Sequence, residues 1–181
     1  MAAHGLADAA RQSGEPATTE LLLRQILARN PNFVPALASM MRTERDREAW
    51  AEAAHWQARR IAADPAAGAD EYSRLGELLI RMRELDRAET AFRAALEREP
   101  YSYAAHRNLS ELYRDRKLWP QARAHLEFVV RYFPDTDAGA YATLAEVYRA
   151  MGNTTAAIEI VRKGQRIFPN DAALQRLAPL G

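Results

Sequence analysis

The residues best suited to chemistry in this chain are few and scattered. Histidines stand at positions 4, 55, 106 and 125. No two of them are three or four residues apart, the spacing that would put two imidazoles on one helical face around a metal. Cysteine is absent, which removes thiolate ligands, disulfides and a thiol nucleophile. The chain has neither a glycine-rich phosphate loop nor a nucleophile elbow. Carboxylates are plentiful but interleaved with arginine, as in Arg83, Glu84, Asp86 and Arg87, the pattern of a solvated helical face. The expectation is a protein without catalytic residues, cofactor or metal, and so not an enzyme.

Charge narrows the classes further. A formal net charge of +1 supplies little attraction for phosphate backbones, so nucleic acid is not an expected partner. The densest basic and aromatic group is Arg114, Arg116, Lys117 and Trp119, which reads as a turn with Pro120 opening the next helix. No stretch approaches the roughly 20 apolar residues of a membrane span, and Met1 to Gln12 lacks a basic start and apolar core. A cytoplasmic location is the expectation.

The elements that must position these side chains are announced by proline. Pro31, Pro65, Pro100, Pro134 and Pro169 fall at intervals of 34, 35, 34 and 35 residues, which is the rhythm of a small supersecondary unit copied end to end. With the proline counted as position 32, position 7 reads Leu75, Leu109 and Leu144, and position 8 reads Gly76, Ser110 and Ala145. Position 20 is always alanine, at Ala88, Ala122 and Ala157, and position 24 carries Phe92, Leu126 and Val161. Positions 4, 7, 8 and 11 share one helical face and positions 20, 24 and 27 share another, so each copy reads as two amphipathic helices. Small residues at 8 and 20 allow the pair to approach closely. Gly68 and Asp137 are the extra residues of the longer intervals, and Ser102, Asp137, Asn153 and Thr154 are candidate caps.

The run Tyr72, Leu75, Gly76, Leu79, Ala88, Phe92, Ala95 and Pro100 resembles the tetratricopeptide repeat family. The resemblance implies an all-α fold, a right-handed superhelical α-solenoid of antiparallel helix pairs. About five repeats would form a single array over 1–181, at 1–33, 34–68, 69–102, 103–137 and 138–170, with 171–181 as a C-terminal cap. The first two copies are degenerate. In the second, Glu44, Gln57 and Arg60 stand where apolar or small residues belong, which predicts a bent or register-shifted pair. In the first, Gly5 and Gly14 weaken the first helix.

The same resemblance turns the first helix of each copy toward a concave groove. The residues that would line or border it are Asp70, Ser73, Arg74, Glu77 and Arg81 in one copy, Arg107, Asn108, Glu111 and Arg114 in the next, and Thr143, Glu146 and Arg149 in the last. Glu77, Glu111 and Glu146 form an acidic row beside a partly basic one. Glu111 with Arg114, and Glu146 with Arg149, also have the i,i+3 spacing of intrahelical ion pairs. The function implied is a protein-protein interaction scaffold holding a peptide or partner helix of mixed or basic charge. The alternative is an auxiliary region that positions the catalytic domain of a larger assembly. Asn108 matches one residue of the clamp by which some family members hold a chaperone's C-terminal carboxylate. Ser73, Glu77, Gly139 and Thr143 depart from that clamp, so such a ligand is not expected. Self-association through the N-terminal copies is a further possibility if Trp50 and Trp56 are exposed, whereas helix packing would instead place them in the core.

Overall fold

The computed structural model describes Gly5 and residues 16–177. Its helices are α1 (Pro16–Arg29), α2 (Val34–Asp46), α3 (Trp50–Ala63), α4 (Ala69–Arg81), α5 (Leu85–Arg98), α6 (Tyr103–Asp115), α7 (Trp119–Tyr132), α8 (Ala138–Ala150), α9 (Thr154–Ile167) and α10 (Ala172–Arg176). No strand occurs among the described residues. The chain forms two compact units, Met1–Arg98 and Glu99–Gly181. The first helix of the first copy, expected to be weakened by Gly5 and Gly14, lies outside the described residues except for Gly5, which is helical.

Counted from the prolines, α2, α4, α6 and α8 each span positions 1–13, and α1, α3, α5, α7 and α9 each span positions 17–30. The second copy is therefore in the same register as the others, contrary to the shift that is one of the two expectations for it. Its polar residues are accommodated by partners. Buried Gln57 donates from Nε2 to the Glu71 carbonyl at 2.7 Å, Arg60 pairs with the Glu71 carboxylate at 2.8 Å, and Glu44 faces Arg47 at 3.6 Å. Such partners offset part of the cost of burial, although Gln57 Oε1 and Arg60 Nε are themselves buried without a hydrogen bond.

One turn recurs between the helices of the four pairs whose turn is described. Position 15, occupied by Glu48, Arg83, Lys117 and Gly152, has a left-handed backbone with φ of 59°, 59°, 58° and 77°. The following N–H reaches back to the helix: Ala49 to Glu44 O, Glu84 to Leu79 O, Leu118 to Tyr113 O and Asn153 to Tyr148 O, at 2.8–2.9 Å. This is the Schellman ending, which satisfies two otherwise orphaned carbonyls. Glycine is its natural occupant, yet of these four described turns only the last has one.

Other helix ends follow the sequence reading. Ser102 Oγ accepts from the Ala105 N–H at 3.4 Å, and Asn153 Oδ1 accepts from the Ala156 N–H at 3.0 Å. Gly68 and Asp137 stand at the N-caps of α4 and α8, and the Gly68 N–H donates to Glu71 Oε2. Asp137 makes no side-chain cap bond, because its carboxylate is used elsewhere.

Packing explains the size classes. A Cβ on Gly76 would lie 2.4 Å from Phe92 Cε1, so the α4–α5 crossing admits nothing larger than hydrogen at position 8. In the first unit Leu23, Leu27, Ala36, Leu37 and Met40 form one buried cluster, and Met41, Ala53, Ala54 and Leu78 another. Trp56 packs against both and Trp50 against the second. Half-buried in this way, the tryptophans are packing residues and not an exposed interface. In the second unit α10 lays fully buried Leu174 against Gly164 and Tyr141, while Leu177 packs on Ala145, Ala157 and Val161. Asp171 caps α10 by accepting from the Leu174 N–H at 2.9 Å.

Candidate functional site

The residues named for the groove have diverse fates. In the second unit, α6 and α8 are tied together through Arg107. Its Nε donates to Asp137 Oδ2 at 2.7 Å, and its Nη1 lies 2.7 Å from Glu111 Oε1. The Tyr103 hydroxyl donates to the same Asp137 oxygen at 2.9 Å. Burial works against the Asp137 charge, but the bonds from Arg107 and Tyr103 outweigh it and hold the carboxyl below its ordinary pKa. Burial and the Asp137 hydrogen bond push the Tyr103 phenol up to about 12. Arg107 is thus a brace inside the unit.

The expected i,i+3 pairs give way to others. Glu111 pairs with Arg107, Arg114 pairs with Asp115 at 2.9 Å, and Arg149 Nη2 donates to the Leu177 carbonyl at 3.2 Å. Glu111 is thus paired at i,i+4 and not at i,i+3, and Arg114 and Arg149 turn to acceptors outside the expected spacing. Glu146 and Arg149 are exposed, Asn108, Glu111 and Arg114 are half-buried, and Thr143 is only 7% exposed. In the first unit Asp70, Glu77 and Arg81 are exposed and Arg74 half-buried, but Ser73 is 3% exposed. The Arg81 guanidinium sits 5.5 Å from the centroid of the Trp50 ring, a cation–π placement. Ser73 and Thr143, expected at the groove, are therefore covered by their neighbours and offer a ligand almost no surface.

Two side-chain meetings were not anticipated. The Tyr148 hydroxyl donates to Glu127 Oε1 at 2.7 Å; burial first, then this bond, raises its phenol to about 12. His106 Nδ1 lies 2.9 Å from His125 Nδ1, a pair 19 residues apart that a search for helical spacings passes over. The signal was present in the repeat alignment, since positions 4 and 23 are both histidine in this copy alone. His106 is also the packed ring expected of its slot, stacked on Phe128 with centroids 3.7 Å apart. Among the described residues no group of three or more His, Asp or Glu side chains is placed to hold a metal ion, and no helix is long and apolar enough to cross a membrane.

Two tetratricopeptide repeat models match the chain, one over residues 73–127 and one over 118–178. Together they span more than half of it. The chain belongs to the tetratricopeptide repeat family. Its helix pairs are TPR units, and its fold is that of TPR solenoids of known structure. A crystal structure of MamA superposes with a TM-score of 0.82 at 19% identity, covering 94% of this chain and 92% of that one. YrrB, a TPR protein with an unusual peptide-binding site, superposes with a TM-score of 0.78 at 16% identity, covering 96% and 89%. The C-terminal part of a TPR repeat-containing protein from Cytophaga hutchinsonii gives a TM-score of 0.76 at 15% identity, covering 92% and 65%. No curated protein matches the sequence.

Proposed function

We propose that this TPR chain is a non-catalytic scaffold that binds an extended peptide or a partner helix of mixed or basic charge. The observation that carries the proposal is in the second unit. At position 9 of α6 and α8, Glu111 and Glu146 reach solvent, while Leu109, Leu112, Leu144 and Val147 beside them are buried. The packed side of each helix is thus spent on the fold, and the other side carries an acidic pair flanked by Asn108, Arg114 and Arg149. Asn108 supplies amide groups that can pair with a ligand's backbone. Asp70, Glu77 and Arg81 give the first unit an exposed acidic and basic patch of its own. A terminal carboxylate is disfavoured near these glutamates by like-charge repulsion. The peptide-binding site described for YrrB, a protein of similar fold, supports the same class of ligand.

Fluorescence anisotropy with labelled peptides of matched length and opposite charge tests this. Lysine- or arginine-containing peptides are expected to bind with an affinity that falls as salt rises. The Glu111→Gln, Glu146→Gln double variant should weaken that binding several-fold without loss of helicity. Equal binding by wild type and double variant, or preference for the acidic peptide, would overturn the assignment.

A further inference from the structure

The His106–His125 pair is set on a side of α6 that the proposed groove does not use. His106 Nε2 lies 3.0 Å from the Pro100 carbonyl oxygen. A carbonyl can only accept, so this nitrogen carries a hydrogen. In neutral His106 the Nδ1 is then bare, and the hydrogen between the two Nδ1 atoms, 2.9 Å apart, belongs to His125. Both tautomers follow from one carbonyl.

The pair has a limited capacity for protons. One added proton still leaves a single hydrogen between the two Nδ1 atoms, whichever ring carries the charge, and strengthens the bond by making it charge-assisted. A second added proton sets two N–H groups against each other and two cations with ring centroids 5.0 Å apart. No acceptor remains between them. We propose that His106 and His125 form a proton-limited latch between α6 and α7, closed with no or one added proton and opened by the second. Opening unstacks His106 from Phe128 and disturbs the aromatic group in which Phe128 meets Tyr101 and Tyr132 at centroid distances of 5.4 and 4.5 Å.

Among the groups facing the pair are Tyr113 of α6, whose ring centroid is 5.6 Å from that of His125, Phe128 of α7, and the Pro100 carbonyl ahead of α6. Tyr101 and Tyr132 lie behind Phe128. Burial lowers the His106 pKa from its ordinary 6.5, and the Pro100 bond opposes this without cancelling it. A lowered folded-state value means that the unfolded chain takes up protons first. The folded pair therefore resists its second proton, so the latch's contribution is present above 6.5 and is lost at lower pH, as acid drives that second proton on. Neighbouring copies hold Tyr72 with Ala91, and Tyr141 with Ile160, at the same two slots, so replacements compatible with the fold are already in the molecule.

Imidazole 15N spectra of the full chain, titrated from pH 8 to pH 4, test the latch directly. At pH 8 His106 should carry its hydrogen on Nε2 and His125 on Nδ1, and the two rings should titrate together in two separated steps. Alongside, the thermal midpoint of wild type should drop on going from pH 7 to pH 5, and His106→Tyr and His125→Ile should each remove at least half of that drop. Independent single-step titration of the two rings, or an Nε2–H on His125 at pH 8, would overturn the proposal. So would an undiminished acid drop in both folded variants. If a variant does not fold, the wild-type spectra decide alone.

Discussion

Arg107 shows how one side chain can change role between sequence and structure. Its repeat position assigns it to a groove, while its contacts with Asp137 and Glu111 make it an internal brace. Arg107→Ala should therefore reduce thermal stability, since removing one partner of a part-buried ion pair leaves the other uncompensated; a melting curve checks this. The two elevated tyrosines make a second prediction. Tyr103 and Tyr148 titrate near 12 when folded, above the ordinary 10. The folded chain keeps protons that the unfolded chain releases, so stability is intact below pH 10 and falls as pH rises from 10 to about 12. Denaturant midpoints at pH 9 and pH 11 should show this fall in wild type and a smaller one in the Tyr103→Phe, Tyr148→Phe double variant. Neither hydroxyl's partner was legible beforehand, because Asp137 and Glu127 are brought to them by packing across helices 34 and 21 residues away.

At the scale of the element, the turn at position 15 carries strain in three of its four described copies. A residue with a Cβ costs about 1–2 kcal/mol in the left-handed region, and glycine recovers part of that after its own unfolded-state entropy is counted. Arg83→Gly and Lys117→Gly should each raise stability by about 0.5–1 kcal/mol, and Gly152→Ala should lower it by about as much, read from urea midpoints at constant m. Gly76 makes the opposite argument, since the Phe92 ring occupies the space of its Cβ. Gly76→Ala is expected to cost about 1–3 kcal/mol, visible in the same measurement. The close crossing was readable from the small residues at positions 8 and 20. The Schellman turn was not, because Glu48, Arg83 and Lys117 carry none of the glycine signal by which such endings are recognised.

At the scale of the whole molecule, repeat packing makes each pair depend on its neighbours and leaves an end to be covered. In the second unit α10 covers that end with Leu174, which is fully buried. Leu174→Ala should destabilise by about 2–5 kcal/mol. Amide exchange should quicken first in α8 and α9, the helices it touches. A loss spread evenly over the chain would argue against a local capping role.

The family and the helix register were determined by sequence alone, since the proline beat and the size classes at positions 7, 8, 20 and 24 repeat residue by residue. Helix formation and pair packing are local, and a periodic chain states local rules many times over. That the second copy keeps register in spite of Glu44, Gln57 and Arg60 was decided by tertiary structure, through partners on other turns and helices. So was the meeting of His106 with His125, and the removal of Ser73 and Thr143 from the accessible surface. Each of these depends on which atoms converge when helices distant in sequence pack, and spacing along one helix carries no record of that.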